Sequence, residues 1–162
     1  MLRKNIGIKL LFVGGGTFKE RKVNLLDSLG LLDSVVQMNA SDAELAYIYQ
    51  HAICFIYPSY YEGFGFLILE AFDNLCPVIC NSSSSLPEVG GDAALYYEKE
   101  DSKKLLEFIE LMMYDYEKKT KCITKGKNRV RIFTWEKCAY ETYQVYQKLI
   151  ESFLYTLNRS RD

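Results

Sequence analysis

Apolar residues along this chain come in short runs separated by polar breaks, most of them marked by glycine, proline or serine. Residues 8–13 (Ile-Lys-Leu-Leu-Phe-Val) form a β-rich run that Gly14, Gly15 and Gly16 stop, and Thr17 then offers a cap for a helix to about Leu29. Residues 34–38 make a second short run. Ser41 followed three residues later by Glu44 is a capping-box pattern that opens a helix over Asp42–His51. Residues 53–57 are nearly continuous in apolar character, as expected of a strand covered on both faces, and Pro58 ends them. A loop holding Gly63 and Gly65 leads into an apolar helix over 66–72. A buried strand at 77–80, a polar loop at 81–85 and a last strand at 94–97 follow. From Asp101 the pattern is helical, in pieces near 102–114, 116–131 and 135–157, with Thr134 as the cap of the last.

Strands alternating with helices across short loops predict a parallel sheet with helices on both faces, a doubly wound, Rossmann-like α/β domain. With 162 residues and no linker, repeat or low-complexity segment, we expect one domain over 1–162. Ligands on such sheets bind at the carboxyl ends of the strands. The loops after residues 13, 38, 57, 80 and 97 are therefore the ones that matter.

Composition narrows the field. An apolar share of 49% with 25% charged residues is that of a globular chain, not a disordered one. Twenty Lys and Arg against 21 Asp and Glu leave a formal charge of -1, too little positive field for a nucleic-acid partner. No apolar run approaches the roughly 18–20 residues that cross a bilayer, and the start MLRKNIGIKLLFVGGG is too short in its apolar core for a convincing signal peptide. We expect a cytoplasmic protein, with the cytosolic face of a membrane as the other place. The cysteines at 54, 76, 80, 122 and 138 have no C-x-x-C spacing, and His51 is the one histidine, so neither a disulfide framework nor a zinc site is expected. His51 has no evident carboxylate or nucleophile partner and reads as a solvated helix-end residue.

The chemistry concentrates after residue 57, in Pro58-Ser-Tyr-Tyr-Glu62-Gly63-Phe64-Gly65-Phe66-Leu-Ile-Leu-Glu70-Ala71. Glycines let backbone approach a ligand with no Cβ in the way, and the N–H groups that open the helix after Gly65 point outward as donors. Such a seat suits a diphosphate. Glu62 and Glu70 flank it, and a carboxylate can accept both hydroxyls of a vicinal diol, which sugars and riboses carry. A phosphate with a sugar on each side is a nucleotide-sugar.

These residues carry a resemblance. Pro58-Ser59, Glu62-Gly-Phe-Gly, Leu69-Glu70-Ala71, Pro77-Val-Ile, Leu86-Pro87-Glu88-Val89, Gly91-Asp92-Ala93-Ala94 and Phe133-Thr-Trp135, in that order, resemble the carboxyl-terminal, donor-binding domain of glycosyltransferase family four, which has the GT-B fold. The likeness runs from about Leu10 to Tyr146. It implies the donor-binding half of a retaining hexosyltransferase that moves a hexose from a nucleotide-sugar to a glycan or lipid-linked acceptor, as in polysaccharide biosynthesis. It implies that Glu62 is the catalytic-site carboxylate and holds hydroxyls of the donor hexose. Gly63, Phe64, Gly65 and Phe66 would hold sugar and phosphate, and Glu70 the ribose diol. No cofactor and no metal are expected, because a helix dipole and basic side chains stabilise the leaving diphosphate. The family's first strand and helix, and its acceptor-binding amino-terminal domain, are lacking in this reading, so a partner domain or self-association is expected.

Blander readings stand beside these. Glu62 and Glu70 could be solvated surface charges. Residues 14–16 lack the full G-x-G-x-x-G and P-loop patterns and read as a structural turn before a phosphate contact. Residues 81–85 fit a donor-side contact and a plain loop equally, and Glu88 could brace that loop. Among the tyrosines, Tyr60 and Tyr61 are the better candidates for ligand contact. The main alternative to an enzyme half is a non-catalytic remnant or nucleotide-sugar-binding module. A response-regulator-like domain fits less well, since no acidic cluster follows the first strand. We further expect valine at Gly63 or Gly65 to block donor binding and leave the fold intact.

Overall fold

The computed structural model describes residues 7–159, with side chains through residue 153. Among the described residues five strands form: β1 (Leu10–Val13), β2 (Val35–Met38), β3 (Phe55–Tyr57), β4 (Val78–Asn81) and β5 (Leu95–Tyr97). The helices are α1 (Glu20–Ser28), α2 (Asp42–His51), α3 (Phe66–Asp73), α4 (Leu86–Gly90), α5 (Ser102–Tyr114), α6 (Tyr116–Val130) and α7 (Trp135–Arg159). Every strand pair is parallel, β1 with β2 in one sheet and β3–β4–β5 in order in the other. This is the α/β class that the alternation of runs predicts. The chain divides into two compact units, Met1–His51 and Ala52–Asp162, taken in turn below.

In the first unit the glycine run does conformational work: Gly14, Gly15 and Gly16 have φ of 82, 76 and 70, a left-handed series costly for residues with a Cβ. The turn ends β1 while Gly14 N–H donates to Met38 O at 2.9 Å, continuing the β1–β2 ladder. Thr17 is not the cap of the next helix. The helix begins only at Glu20, after Lys19, an extended N-cap residue that makes no side-chain cap bond. Phe18 accounts for the delay, since its ring meets Phe12 edge-on at 5.2 Å and Lys22 Nζ lies 4.4 Å from both ring centres. The capping box of α2 is present. Ser41 N–H donates to Glu44 Oε2 at 2.8 Å and Ser41 Oγ to the same oxygen at 2.7 Å, while Glu44 N–H returns to Ser41 Oγ at 3.5 Å. These bonds, the backbone one first, hold the Glu44 carboxyl below its ordinary value. His51 stacks on Tyr47 at 3.9 Å and keeps Nδ1 2.8 Å from Tyr47 O at the exposed end of α2.

The second unit is organised by β4, all four of whose residues are buried. β3 lies at the edge of its sheet and is half-buried throughout, so the two-face covering expected for residues 53–57 belongs to β4 instead. Ile79 of β4 and Tyr97 of β5 pack with Met112 of α5 and Cys122 of α6, and Leu105, Phe108 and Ile109 of α5 close over them. Burial pushes the Cys76 and Cys80 thiols up to about 12 and that of Cys54 to about 11, so these cysteines behave as small apolar groups. The three carboxyl-terminal helices are each capped by a side chain. Lys104 N–H donates to Asp101 at 2.9 Å, Lys118 N–H to Asp115 at 2.8 Å, and Lys137 N–H to Thr134 Oγ1 at 3.1 Å.

Helix α4 falls where the sequence pattern predicts no element. It is one short turn-and-a-half with Pro87 in its first turn and Leu86, Val89 and Gly90 buried. Its carboxyl end is closed by Arg129 of α6, whose Nε donates to Val89 O at 2.9 Å and whose guanidinium also donates to Glu88 O. Lys125 adds an exposed pair with Asp92 at 2.6 Å, of the kind that contributes little.

Helices α3 and α6 approach closely because α6 carries Gly126 at the contact. A Cβ there would stand 2.6 Å from Cδ1 of Phe72, a ring that is only 1% exposed. Alanine in a helix gains about 0.5–1 kcal/mol over glycine, whereas overpacking a filled core costs about 1–3 kcal/mol. Gly126→Ala should therefore unfold at lower denaturant concentration than the parent, and an unchanged or higher midpoint would mean that the Phe72 ring gives way freely.

Candidate functional site: the loop between β3 and α3

All positions singled out in residues 58–71 lie on one continuous piece of the second unit, the loop leaving the carboxyl end of β3 and the first turns of α3. Gly65 is the hinge. As N-cap of α3 it has φ 109 and ψ 41, and its carbonyl accepts from Ile68 N–H at 3.0 Å. No side chain caps α3, so its opening N–H groups carry the partial positive charge of the helix end. Glu70 is exposed on α3, about 6 Å along the axis from Phe66, a little over one turn.

Glu62 is half-buried in the loop. The hydroxyls of Tyr57, then Ser59, hydrogen-bond its carboxylate and hold it below the ordinary glutamate value. Ser59 Oγ is shared with the Tyr61 carbonyl at 3.3 Å. The charged form of Glu62, the one that accepts hydroxyls, is thus the favoured one.

The two glycines do different jobs. Nothing lies within 4 Å of a Cβ built on Gly63, so that face of the loop is open. A Cβ on Gly65 would press on Leu86 Cδ2 at 3.1 Å in a backbone conformation that favours glycine. The expectation that valine at either glycine spares the fold is therefore opposed at Gly65, where the turn into α3 strains any side chain.

Phe64 and Phe66, the two aromatics of the seat, are 37% and 56% exposed and lie 4.8 Å apart, centre to centre. Phe133 meets Phe64 edge-on at 5.8 Å and Trp135 lies 6.4 Å from Phe66, so the aromatic turn before α7 stands against the head of α3. Tyr60 and Tyr61 are 51% and 84% exposed, and Lys99 Nζ lies 5.0 Å from the Tyr60 ring centre.

The serine run after β4 turns out to be the second wall of the loop. Ser83 Oγ donates to Tyr60 O at 2.9 Å, and Ser84 and Ser85 donate to Glu62 O at 2.7 and 3.0 Å. Sequence spacing leaves that run undecided, because these bonds join residues 22 and 23 positions apart. Asn81, at the end of β4, is 2% exposed, and its Nδ2 has no partner among the described residues. Glu88 is exposed, and it is its carbonyl that braces α4 through Arg129. In the first unit, the turn at 14–16 borders an open cleft of about 660 Å³ that Phe12, Phe18, Arg21 and Lys22 also line. Among the described residues no group of three or more His, Cys, Asp or Glu could hold a metal ion, and no helix is long and apolar enough to cross a membrane.

Residues 1–129 match the profile of "Glycosyl transferases group 1". The O-antigen chain mannosyltransferase B of Escherichia coli is 38% identical over 108 residues, 67% of this chain and 28% of that protein. The MMP alpha-(1->4)-mannosyltransferase of Mycolicibacterium hassiacum is 30% identical over 131 residues, 78% of this chain and 32% of that protein. Among solved structures, the sucrose-phosphate synthase of Thermosynechococcus elongatus superposes with a TM-score of 0.74 at 27% identity, over 89% of this chain and 39% of that one. Anabaena Alr3699/HepE in complex with UDP superposes with a TM-score of 0.75 at 17% identity, over 87% of this chain and 41% of that one, and shows likeness of fold. The chain spans roughly a third of the length of the curated relatives it matches, from 28% to 42%. The parallel α/β architecture is that of the Rossmann-like domains of GT-B glycosyltransferases, and with 1–129 matched the chain belongs to the glycosyl transferases group 1 family.

Proposed function

We propose that this chain is the donor-binding half of a retaining glycosyltransferase, one that transfers a hexose from a nucleotide-sugar to a glycan or lipid-linked acceptor in polysaccharide biosynthesis. The observation that carries the proposal is the loop at the carboxyl end of β3, where a glycine-hinged, uncapped helix start stands between Glu62 and Glu70. In this reading Glu62 takes hydroxyls of the hexose and Glu70 the ribose diol. The N–H groups of residues 63–66 take sugar and phosphate oxygens. The donor's bond from C1 to the diphosphate oxygen breaks, C1 joins the acceptor oxygen with its configuration kept, and the acceptor proton ends on the leaving diphosphate. The start of α3 offsets the charge that grows there, and the reading needs neither metal nor cofactor. The acceptor would meet the donor on a further domain or a second chain.

The names of the relatives support the hexose: two that align well are mannosyltransferases. Structures of a fold neighbour hold UDP and UDP-glucose, which supports a nucleotide-sugar as the ligand class. Titration with a panel of uridine, guanosine and adenosine diphosphate sugars tests the reading directly. Saturable binding of one of them is expected, and silence toward all would favour a non-catalytic remnant.

The two glutamates should separate in that assay. Glu70→Ala should weaken binding of the free nucleoside diphosphate by about 1.5–3 kcal/mol, the value of a hydrogen bond to a charged group. Glu62→Ala should leave it unchanged and remove the extra affinity due to the sugar. Equal nucleoside diphosphate affinity for Glu70→Ala and the parent would end the ribose assignment.

The pH dependence follows from the depressed Glu62 carboxyl. Its ionised, hydroxyl-accepting form is lost only as pH falls through a value below the ordinary 4.5, so the sugar's contribution should persist past that point. Tyr57→Phe removes the largest cause of the depression and should move the loss to higher pH. Coincident acid limits in the two proteins would contradict the bond.

The glycines supply a last check. Gly63→Val should abolish donor binding with an unaltered circular dichroism spectrum, because no other protein atom lies in the space it fills. Gly65→Val should lose binding and fold together, and a folded, donor-binding Gly65→Val protein would show that the hinge tolerates a branched side chain.

A further inference from the structure

The chain leaves β4 through four consecutive serines, residues 82–85, and the proposed transfer reaction gives none of them a role. Ser82 turns away, its Oγ donating to Glu98 Oε1 at 2.7 Å. The other three all face the donor loop, and two of them end on one residue. Glu62 O accepts from Ser84 Oγ at 2.7 Å and from Ser85 Oγ at 3.0 Å, while Glu62 N–H donates back to Ser84 Oγ at 3.3 Å. Both main-chain polar groups of Glu62 are therefore satisfied by the Ser84 hydroxyl. Ser83 holds Tyr60 O in the same way, two residues earlier.

The backbone of Ser84 makes the choice of residue informative. Its φ is 55, in the left-handed region where glycine is the easy occupant and a Cβ is a burden. A turn that needed only its shape would be served better by glycine. What serine adds here is the hydroxyl on Glu62. The turn is fixed on its far side as well, since Leu86 is fully buried and its Cδ2 would lie only 3.1 Å from a Cβ built on Gly65. The serine turn thus touches the donor loop at Tyr60, at Glu62 and at the hinge of α3.

We propose that Ser84 is a positioning residue for Glu62. Its hydroxyl, backed by those of Ser83 and Ser85, locks the Glu62 peptide so that the carboxylate is presented in one orientation to the hexose of the donor. The proposal rests on the reading of Glu62 as the sugar-binding carboxylate. Preorganisation of this kind lowers the ordering cost of binding. It acts on the sugar and leaves the nucleotide, held by Glu70 and the α3 start, untouched.

Two substitutions separate the hydroxyl from the turn. Ser84→Gly removes the hydroxyl and relieves the left-handed backbone, so its thermal midpoint should equal or exceed that of the parent. Ser84→Ala removes the hydroxyl and keeps the backbone burden. Amide hydrogen exchange is followed by mass spectrometry over residues 60–65 of the full chain without ligand. Titrations then use the uridine, guanosine and adenosine diphosphate sugars and the three free nucleoside diphosphates. Both variants should exchange faster over 60–65. Affinity for the donor that binds the parent should fall about three- to tenfold, the worth of one hydroxyl bond, with nucleoside diphosphate affinity unchanged. Unchanged exchange in both variants overturns the clamp. A fall in sugar and nucleotide affinity together, or in neither, overturns its role in sugar presentation. A parent that binds no donor defeats the proposed function and with it the sugar half of this inference. Faster exchange in that case would still establish that Ser84 holds the Glu62 peptide.

Discussion

Everything in the second unit that points toward chemistry hangs from β4. Its four residues are sealed from solvent, so its peptide groups have to be satisfied in the sheet, and they are, by β3 on one side and β5 on the other. Parallel pairing on both edges brings the carboxyl ends of three strands to one side. The loop carrying Glu62 and the turn carrying Ser84 leave adjacent strands at that side. Two segments more than twenty residues apart in the chain thereby become neighbours without any direct sequence signal.

The helices then fix the height at which α3 begins. Phe72 and Ile68 are buried on its inner face, and the absence of a side chain at Gly126 lets α6 press against Phe72. The aromatic turn at Phe133 and Trp135 meets the outer face through Phe64 and Phe66. Held on both sides, α3 can present an uncapped start, with Gly65 absorbing the change of direction in a conformation no side chain would favour.

Much of this is legible in the residues themselves. The β4 run and the three helices after Asp101 end within a residue or two of the expected bounds, because their apolar periodicity and caps are local. The Ser41–Glu44 box is legible for the same reason. What escapes the sequence is whatever depends on a distant partner. α4 is five residues long with proline at its head, too short to show a period, and it stands because Arg129 from α6 closes its end. Thr17 looks like a cap and is not one, because Phe18 finds the ring of Phe12 first. The serine run fits a donor-side contact and a plain loop equally by sequence, and only the fold shows each of residues 83–85 giving its hydroxyl to a carbonyl of the donor loop. Gly63 and Gly65 look alike in sequence and differ only once the neighbour of each is known.

The distribution of burial has a consequence for how the protein comes apart. Among the described residues, Tyr49 is the one buried apolar residue of the first unit, and the others lie from Ile68 onward in the second. Cooperative opening follows buried apolar contact, so residues 7–51 form a weak folding unit and the β3–β4–β5 assembly a strong one. Thermal fluctuation or a protease would reach the glycine turn and α1 while the second unit stays closed. The Glu62 loop and its serine wall are thus built on the part of the molecule that is last to melt, and partial unfolding of this chain would leave that wall standing.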